Sequence, residues 1–358
     1  MPPPAPLASF AGQDFFSPYV WTGFVRDLPI PADFVGYTYL PSRDVPADKI
    51  TWDVLKAELE LAPFVAPDAE SPRMQGMVIT EAWAEIAYLR YKRAYKESDL
   101  RIVRDFGMAP QNSLAASMRD AAESQIARDM VRLNDAIDAR IEWMQLKALL
   151  GLIQAPPDAR SDVNFTLTYP VVQVTPAALW SDLVNSDPIN DVETWYQDAR
   201  FAPAVAIMSR QTFYNISRNQ KMIRQFGFSS GVVAGNMPTL IVPGDVQRTW
   251  SEALGIQVVV YNNFYTTRPP GPPTAPVAPT LNRILPQNKV IFIPTEQVGY
   301  TATAPAVQNN YAAGKYSWTR SGDNDPSARD PWIYEMGVGW NGLPVLEKPE
   351  RIFVATVA

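Results

Sequence analysis

Residues 115–150 read AASMRDAAESQIARDMVRLNDAIDARIEWMQLKALL. Met118, Ala122, Ile126, Met130, Leu133, Ile137, Ile141, Met144 and Ala148 recur every three or four positions and draw one apolar stripe along a helix. Asp120, Glu123, Arg128, Asp129, Arg132, Asp135, Asp138 and Glu142 fall largely off that stripe, as a solvated or partner-facing flank would. No proline interrupts the run, and Gly151 followed by Pro156 and Pro157 supplies a stop. At about 1.5 Å per residue this helix is on the order of 50 Å long, beyond the width of an ordinary compact domain. It calls for a protein built around a rod that is apolar on one side.

Composition narrows what such a protein can do. The chain has 358 residues, 47% hydrophobic and 19% charged, which is a globular composition. It contains no cysteine and no histidine. Disulfides, thiolate nucleophiles, Cys or His metal sites and every imidazole-dependent triad are therefore excluded. Carboxylate chemistry survives that filter, so a glycosidase stays open as an alternative. The net charge of −6 argues against nonspecific nucleic-acid affinity for the whole chain. No apolar run is long enough to cross a bilayer and the start, MPPPAPLASF, lacks a secretory pattern, so a soluble intracellular product is expected.

On either side of the rod the pattern changes. Residues 1–47 are rich in proline and aromatics, and prolines 18, 29, 31, 41 and 46 point to an extended segment lying on its own or a neighbour's surface. Residues 48–97 give two strand-like arms around a turn-rich tip, a long β-hairpin with little core of its own. DVNFTLTYPVVQVT (162–175) is strand-like. From about 180 an α/β alternation begins: NDVETWYQDAR helical, APAVAIMS a buried strand, RQTFYNISRNQKMIRQFG one helix, TLIVPGDV, IQVVVYNNFY and KVIFIP strands. A proline-dense loop spans 266–280, and the last stretch gives two strands around a turn at Asn341-Gly342.

Candidate sites each meet a plainer explanation. Asp323, Asn324, Asp325 and Asp330 have oxygen ligands at calcium-like spacing but lack the closing glutamate, and read as a turn. Glu58, Glu60, Glu81 and Glu85 could furnish an acid/base pair, yet on strand arms they read as solvent or subunit contacts. Tyr88–Lys96, with bases and aromatics interleaved, could stack on a nucleic acid strand; flanking Glu81, Glu85, Glu97 and Asp99 favour a half-buried strand. No phosphate loop, nucleophile elbow or dinucleotide fingerprint is present. No catalytic, cofactor or metal site is expected.

Taken in order, the segments resemble the major capsid proteins of tailed phages, specifically the lambda-type capsid protein E family. SMRDAAESQIARDMVRLNDAIDARIEWMQLKALLG is similar to that family's long helix. LPQNKVIFIPTEQVGYTATAP is similar to its Leu-Pro-x-Asn strand and Gly-aromatic turn, and DPWIYEMGVGWNGLPVLEKPERIFVATVA to its closing segment. The resemblance implies an α+β, Hong Kong 97-like capsid fold. Its parts would be an N-terminal arm (1–47) strapped along a neighbour, an extended hairpin loop (48–97), a peripheral domain (98–179) with its spine helix at about 113–152, an axial domain (180–328) and C-terminal return strands of the peripheral domain (329–358). It implies a shell protein and no enzyme, with its own copies in hexamers and pentamers, a scaffold protein, a portal protein, an optional decoration protein and packaged double-stranded DNA as partners. The chain would be located in the virion capsid and assembled in the host cytoplasm, without membrane. Some relatives cross-link through Lys and Asn, but nothing in the sequence assigns that role to Lys49 or Lys56. A cellular nanocompartment shell of encapsulin type would share the fold.

Overall fold

The computed structural model describes residues 18–46, 49–55, 79–96, 115–154, 166–198, 202–226, 243–267, 280–320 and 333–358. The tip of the hairpin, the 321–330 loop and most of the proline-dense loop lie outside them.

The chain opens with α1 (Pro18–Asp27) and a single turn, α2 (Gly36–Tyr39). The prolines do not leave 18–27 extended. Pro18 occupies the first turn, where its missing N–H costs nothing, and Pro29 lies just beyond the end, so ten uninterrupted residues remain for a helix. Then come β1 (Ser42–Asp44), the hairpin strands β2 (Lys49–Leu55) and β3 (Ile79–Glu85), and β4 (Ala87–Lys96). The expected second hairpin arm is thus two strands. β3 pairs with β2 in register Lys49↔Glu85 to Leu55↔Ile79, and past buried Ile86 the chain enters a different sheet.

The rod is α3 (Ala115–Leu149), 35 residues. β5 (Leu152–Gln154), β6 (Thr166–Thr168) and β7 (Val172–Val174) follow, the strand-like 162–175 being interrupted at Tyr169-Pro170. Next are α4 (Pro188–Asp198), β8 (Pro203–Ser209), α5 (Arg210–Arg218) and α6 (Gln220–Phe226). The single helix read from 210 onward is divided by Asn219, which leaves helical geometry at ψ 129°. Its side-chain oxygen accepts from the N–H of Lys221 and of Met222, so it caps α6.

Residues 243–246, expected in a strand, instead begin α7 (Pro243–Leu254), again with proline at the first helical position and Asp245 in the first turn. β9 (Gln257–Tyr261), β10 (Phe264–Thr267), β11 (Thr280–Arg283), β12 (Lys289–Pro294) and β13 (Gly299–Thr303) lead to a small pair, β14 (Pro305–Ala306) and β15 (Ala312–Ala313). The chain closes with β16 (Tyr316–Arg320), β17 (Ile333–Leu346) and β18 (Phe353–Thr356).

Two five-stranded sheets carry the fold. In the first, the 14-residue β17 is the axis. It pairs antiparallel with β4 along one edge and with β16 and then β13 along the other, and β1 adds in parallel beyond β13. β17 runs straight through Asn341-Gly342, where a turn was expected. Gly342 serves close packing instead: a Cβ there would lie 2.3 Å from the Trp340 ring and 2.4 Å from the Ala302 carbonyl. The actual reversal falls at 347–352, around Pro349. In the second sheet the order is β7-β18-β12-β8-β9, covered by the packed residues of α4 to α7. The last strand, β18, therefore belongs with the α/β segment and not with β17.

Candidate assembly surfaces and the polar seam of the spine helix

The apolar stripe of α3 is buried as its spacing requires: Ile126, Met130, Leu133, Ile137, Ile141, Met144 and Ala148 are all in the core. The flank is not solvated throughout. Asp129, Asn134, Asp138, Glu142 and Gln145 are buried as well. Asn134, Asp138, Glu142 and Gln145 stand three or four residues apart and so form a second stripe, polar and covered.

The N-terminal segment is what covers much of it. The two carboxylate oxygens of Glu142 accept from the N–H of Val35 at 3.0 Å and of Gly36 at 2.9 Å, two of the orphan donors at the start of α2. A side chain at Gly36 would sit 2.3 Å from Gln145 Oε1, so only glycine lets the backbone reach this carboxylate. Gln145 donates to Leu40 O and, at 2.8 Å, to Thr301 Oγ1, joining the strap to β13. Lys315 Nζ reaches Asp138 at 2.6 Å and Asn134 Oδ1 at 3.0 Å, and Asn134 donates to Asp138 at 3.1 Å. Burial raises the pKa of both Glu142 and Asp138 above the usual carboxylate range. The Val35 and Gly36 amides oppose that rise at Glu142, and Lys315 opposes it at Asp138.

Further up the chain, α1 docks on β16. Trp21 and Val25 are fully buried, Ser317 N–H donates to Thr22 Oγ1 at 3.0 Å, and Arg26 donates to the carbonyls of Ala313 and Lys315, both at 3.0 Å. Residues 18–46 are thus bound in their own subunit. Tyr19, on α1, stays exposed.

β4 settles the interleaved bases of Tyr88–Lys96. It is the edge strand of the first sheet, and its cations are engaged locally: Lys92 with Glu335 at 3.0 Å, Arg93 with buried Asp129 at 3.1 Å, Arg90 with the Tyr316 hydroxyl at 3.1 Å. Tyr95, buried, also donates to Asp129. Only Tyr95 of its ten residues is buried, so the strand is more exposed than the half-buried one expected, with charges on an edge that discourages further strand pairing.

The hairpin is rooted in the same core. Ile50, Trp52 and Ala84 are buried, with the Trp52 ring 6.3 Å from that of Tyr169. Trp83 points the other way, 59% exposed, with Lys49 Nζ 4.0 Å above its ring. Glu85 pairs in register with Lys49 and is exposed. The side chain of Glu81 and residues Lys56, Glu58, Glu60, Asp323, Asn324, Asp325 and Asp330 lie outside the described residues. Among the described residues no three Asp or Glu side chains are grouped to hold a metal, and no helix is long and apolar enough to cross a membrane.

A family model described as Phage major capsid protein E matches residues 19–357. The chain belongs to this phage capsid family. It is a major capsid protein, the subunit of a phage shell, and neither the nanocompartment nor the glycoside hydrolase reading is favoured. The fold agrees with solved shells. A prophage capsid protein from E. coli CFT073 superposes with a TM-score of 0.55 at 16% identity, covering 90% of this chain and 93% of that one. The capsid of a native GTA particle superposes with a TM-score of 0.50 at 10% identity, covering 92% of each chain. No curated protein matches the sequence. At such identities the alignment transfers the α+β capsid fold, and the side-chain roles described above are read from this chain alone.

The seam is hard to see in the sequence because periodicity separates apolar from polar residues but does not say which polar residues are covered. One signal was available. Asn134, Asp138, Glu142 and Gln145 are spaced as regularly as the apolar stripe, which a merely solvated face does not require.

Proposed function

We propose that the subunit is a thin, L-shaped shell tile whose divisions follow the segments 1–47, 48–97, 98–179, 180–328 and 329–358, with β18 crossing from the last into the sheet of the axial part. The hairpin 48–97 supplies the contact that links tiles. The observation that supports this is the β2–β3 ribbon itself. Among the described residues it pairs with no other strand, is anchored at its base by Ile50, Trp52 and Ala84, and presents Trp83 to solvent. A two-stranded ribbon is marginal in water unless a surface covers it, and in a ring of copies each ribbon can find one on the next subunit.

Repetition then does the work of affinity. Hexamers and pentamers repeat the same contact, so individually weak interfaces add up to a stable icosahedral shell. During assembly a scaffold protein and a portal protein are partners, a decoration protein can bind outside, and double-stranded DNA is enclosed without sequence readout. The acidic balance of −6 suits a wall that must not hold the packaged polymer. The particle is built in the host cytoplasm and the subunit acts without catalysis.

Deleting residues 63–76 tests this. The subunit should stay soluble with a near-native circular dichroism spectrum, while sedimentation shows that shells no longer form. A deletion product that unfolds globally, or one that still builds normal shells, would count against the hairpin as the linking element.

A further inference from the structure

Charge is not spread evenly along this chain. Between residues 199 and 295 there are nine basic residues and two acidic ones, Asp245 and Glu252, which leaves 22 basic and 35 acidic residues elsewhere. Three of the nine meet in one place. Arg210, Tyr214 and Arg218 repeat every fourth residue and so share one face of α5. With Arg283 on β11, Asn262 and Gln287 they line an open groove of about 500 Å³ that has no acidic side chain in its wall.

The arginines are held ready. The Arg218 guanidinium lies 4.8 Å from the centre of the Tyr214 ring, and that of Arg283 lies 4.5 Å from the centre of Phe264. Arg283 also donates to Asn262 Oδ1, and with the Gln287 amide oxygen turned toward it, its Nε and Nη2 lie 3.2 and 3.1 Å away. Arg210 has no hydrogen bond or ion pair among the described residues and is exposed. Stacked, preorganised guanidinium groups with no carboxylate of their own suit a bidentate anionic partner.

We propose that this groove receives the acidic hairpin of a second copy of this chain. Residues 49–85 carry seven acidic side chains, among them Glu58, Glu60, Asp68 and Glu70, against three basic ones. This rests on the reading of the hairpin as the element that crosses to a neighbour, and it names the surface that takes it. Packaged DNA is the other polyanion at hand. The rest of the chain carries 35 acidic against 22 basic residues, a balance that disfavours an extended DNA rod more than a single hairpin tip. A ring of copies also presents that tip at high effective concentration.

The test is a charge swap in the full chain, read by analytical ultracentrifugation. Arg210→Glu with Arg218→Glu should lower the shell fraction at least tenfold while the circular dichroism and the melting temperature of the subunit stay unchanged. Adding Glu58→Lys with Glu60→Lys, or Asp68→Lys with Glu70→Lys, to that variant should restore shells to within about threefold of wild type. The proposal is overturned if the arginine variant assembles normally, including the case where only its salt-dependent retention of duplex DNA falls. It is equally overturned if assembly is lost and neither hairpin reversal recovers it. Should the 63–76 deletion also assemble normally, the crossing hairpin itself is wrong; should the deletion abolish assembly, only the assignment of its receptor fails.

Discussion

The two sheets of this capsid protein are stabilised in opposite ways. The β7-β18-β12-β8-β9 sheet and its helices enclose an aromatic core. Phe292 and Phe353 face each other in register with ring centres 4.6 Å apart, and Trp180 lies 6.0 Å from Trp195 and 6.1 Å from Trp250. Two of its buried polar groups, Ser209 and Asn219, are helix caps. The β17 sheet is packed against α3, and all three buried carboxylates among the described residues, Asp129, Asp138 and Glu142, sit on that helix. Apolar packing is non-directional and closes a core; buried ion pairs and hydrogen bonds cost desolvation and gain direction. The charged interior lies where separate segments, the 18–46 strap and the β4 edge, have to be held in one register on a long rod. For this chain, the difference connects a polar interior with positioning and an aromatic one with plain stability.

Removing the cation of the seam should have the largest effect. Lys315→Ala leaves Asp138 buried without its positive partner, and such uncompensated charges cost about 3–5 kcal/mol. Urea denaturation of the unassembled subunit should show that loss. A loss below about 1 kcal/mol would mean that water enters the seam, and the contrast between the two interiors would weaken.

A middle-sized effect is expected from Glu142→Gln, which retains one amide oxygen for two backbone donors and should cost about 1–3 kcal/mol. Its pH dependence sharpens the comparison. Burial raises the folded-state pKa of Glu142, so the wild-type group favours the folded state most below the unfolded carboxylate value, and that contribution is lost as pH rises through the raised folded value. Glutamine does not titrate. The stability gap between wild type and variant should therefore narrow from acidic to neutral pH, and a gap that widened would show Glu142 to be held as a favoured anion.

The smallest effect belongs to the other sheet. Phe292→Leu keeps an apolar side chain among Trp195 and Phe353 but loses both ring contacts, and should cost about 1–2 kcal/mol, because non-directional packing partly refills the space. If it costs as much as Lys315→Ala, the aromatic cluster is as geometrically specified as the polar seam. Thermal melts of the three variants side by side would rank them.

Much of the architecture was legible in the sequence. Local sterics and periodicity act within a few residues, so the rod, its apolar stripe, α4, β8 and β12 could be read directly from the order of residues. The places where reading failed share a cause. Pro18 and Pro243 start helices, although proline counts suggested extended chain, because a proline's effect depends on which turn it occupies. Asn341-Gly342 carries turn chemistry, yet β4 pairs with both residues and β13 with Gly342, which draws them into a strand. The sequence by itself determined the rod, α4, β8 and β12, the missing imidazole and thiol chemistry, and the family. Only the tertiary structure decided that Asp138 and Glu142 are buried, that the strap from Pro18 to Pro46 folds onto its own spine, and that Arg210, Arg218 and Arg283 share one groove. Those facts depend on segments more than 60 residues apart, Arg218 and Arg283 among them, and contacts at that range are set by packing and desolvation of the whole chain, which no local pattern encodes.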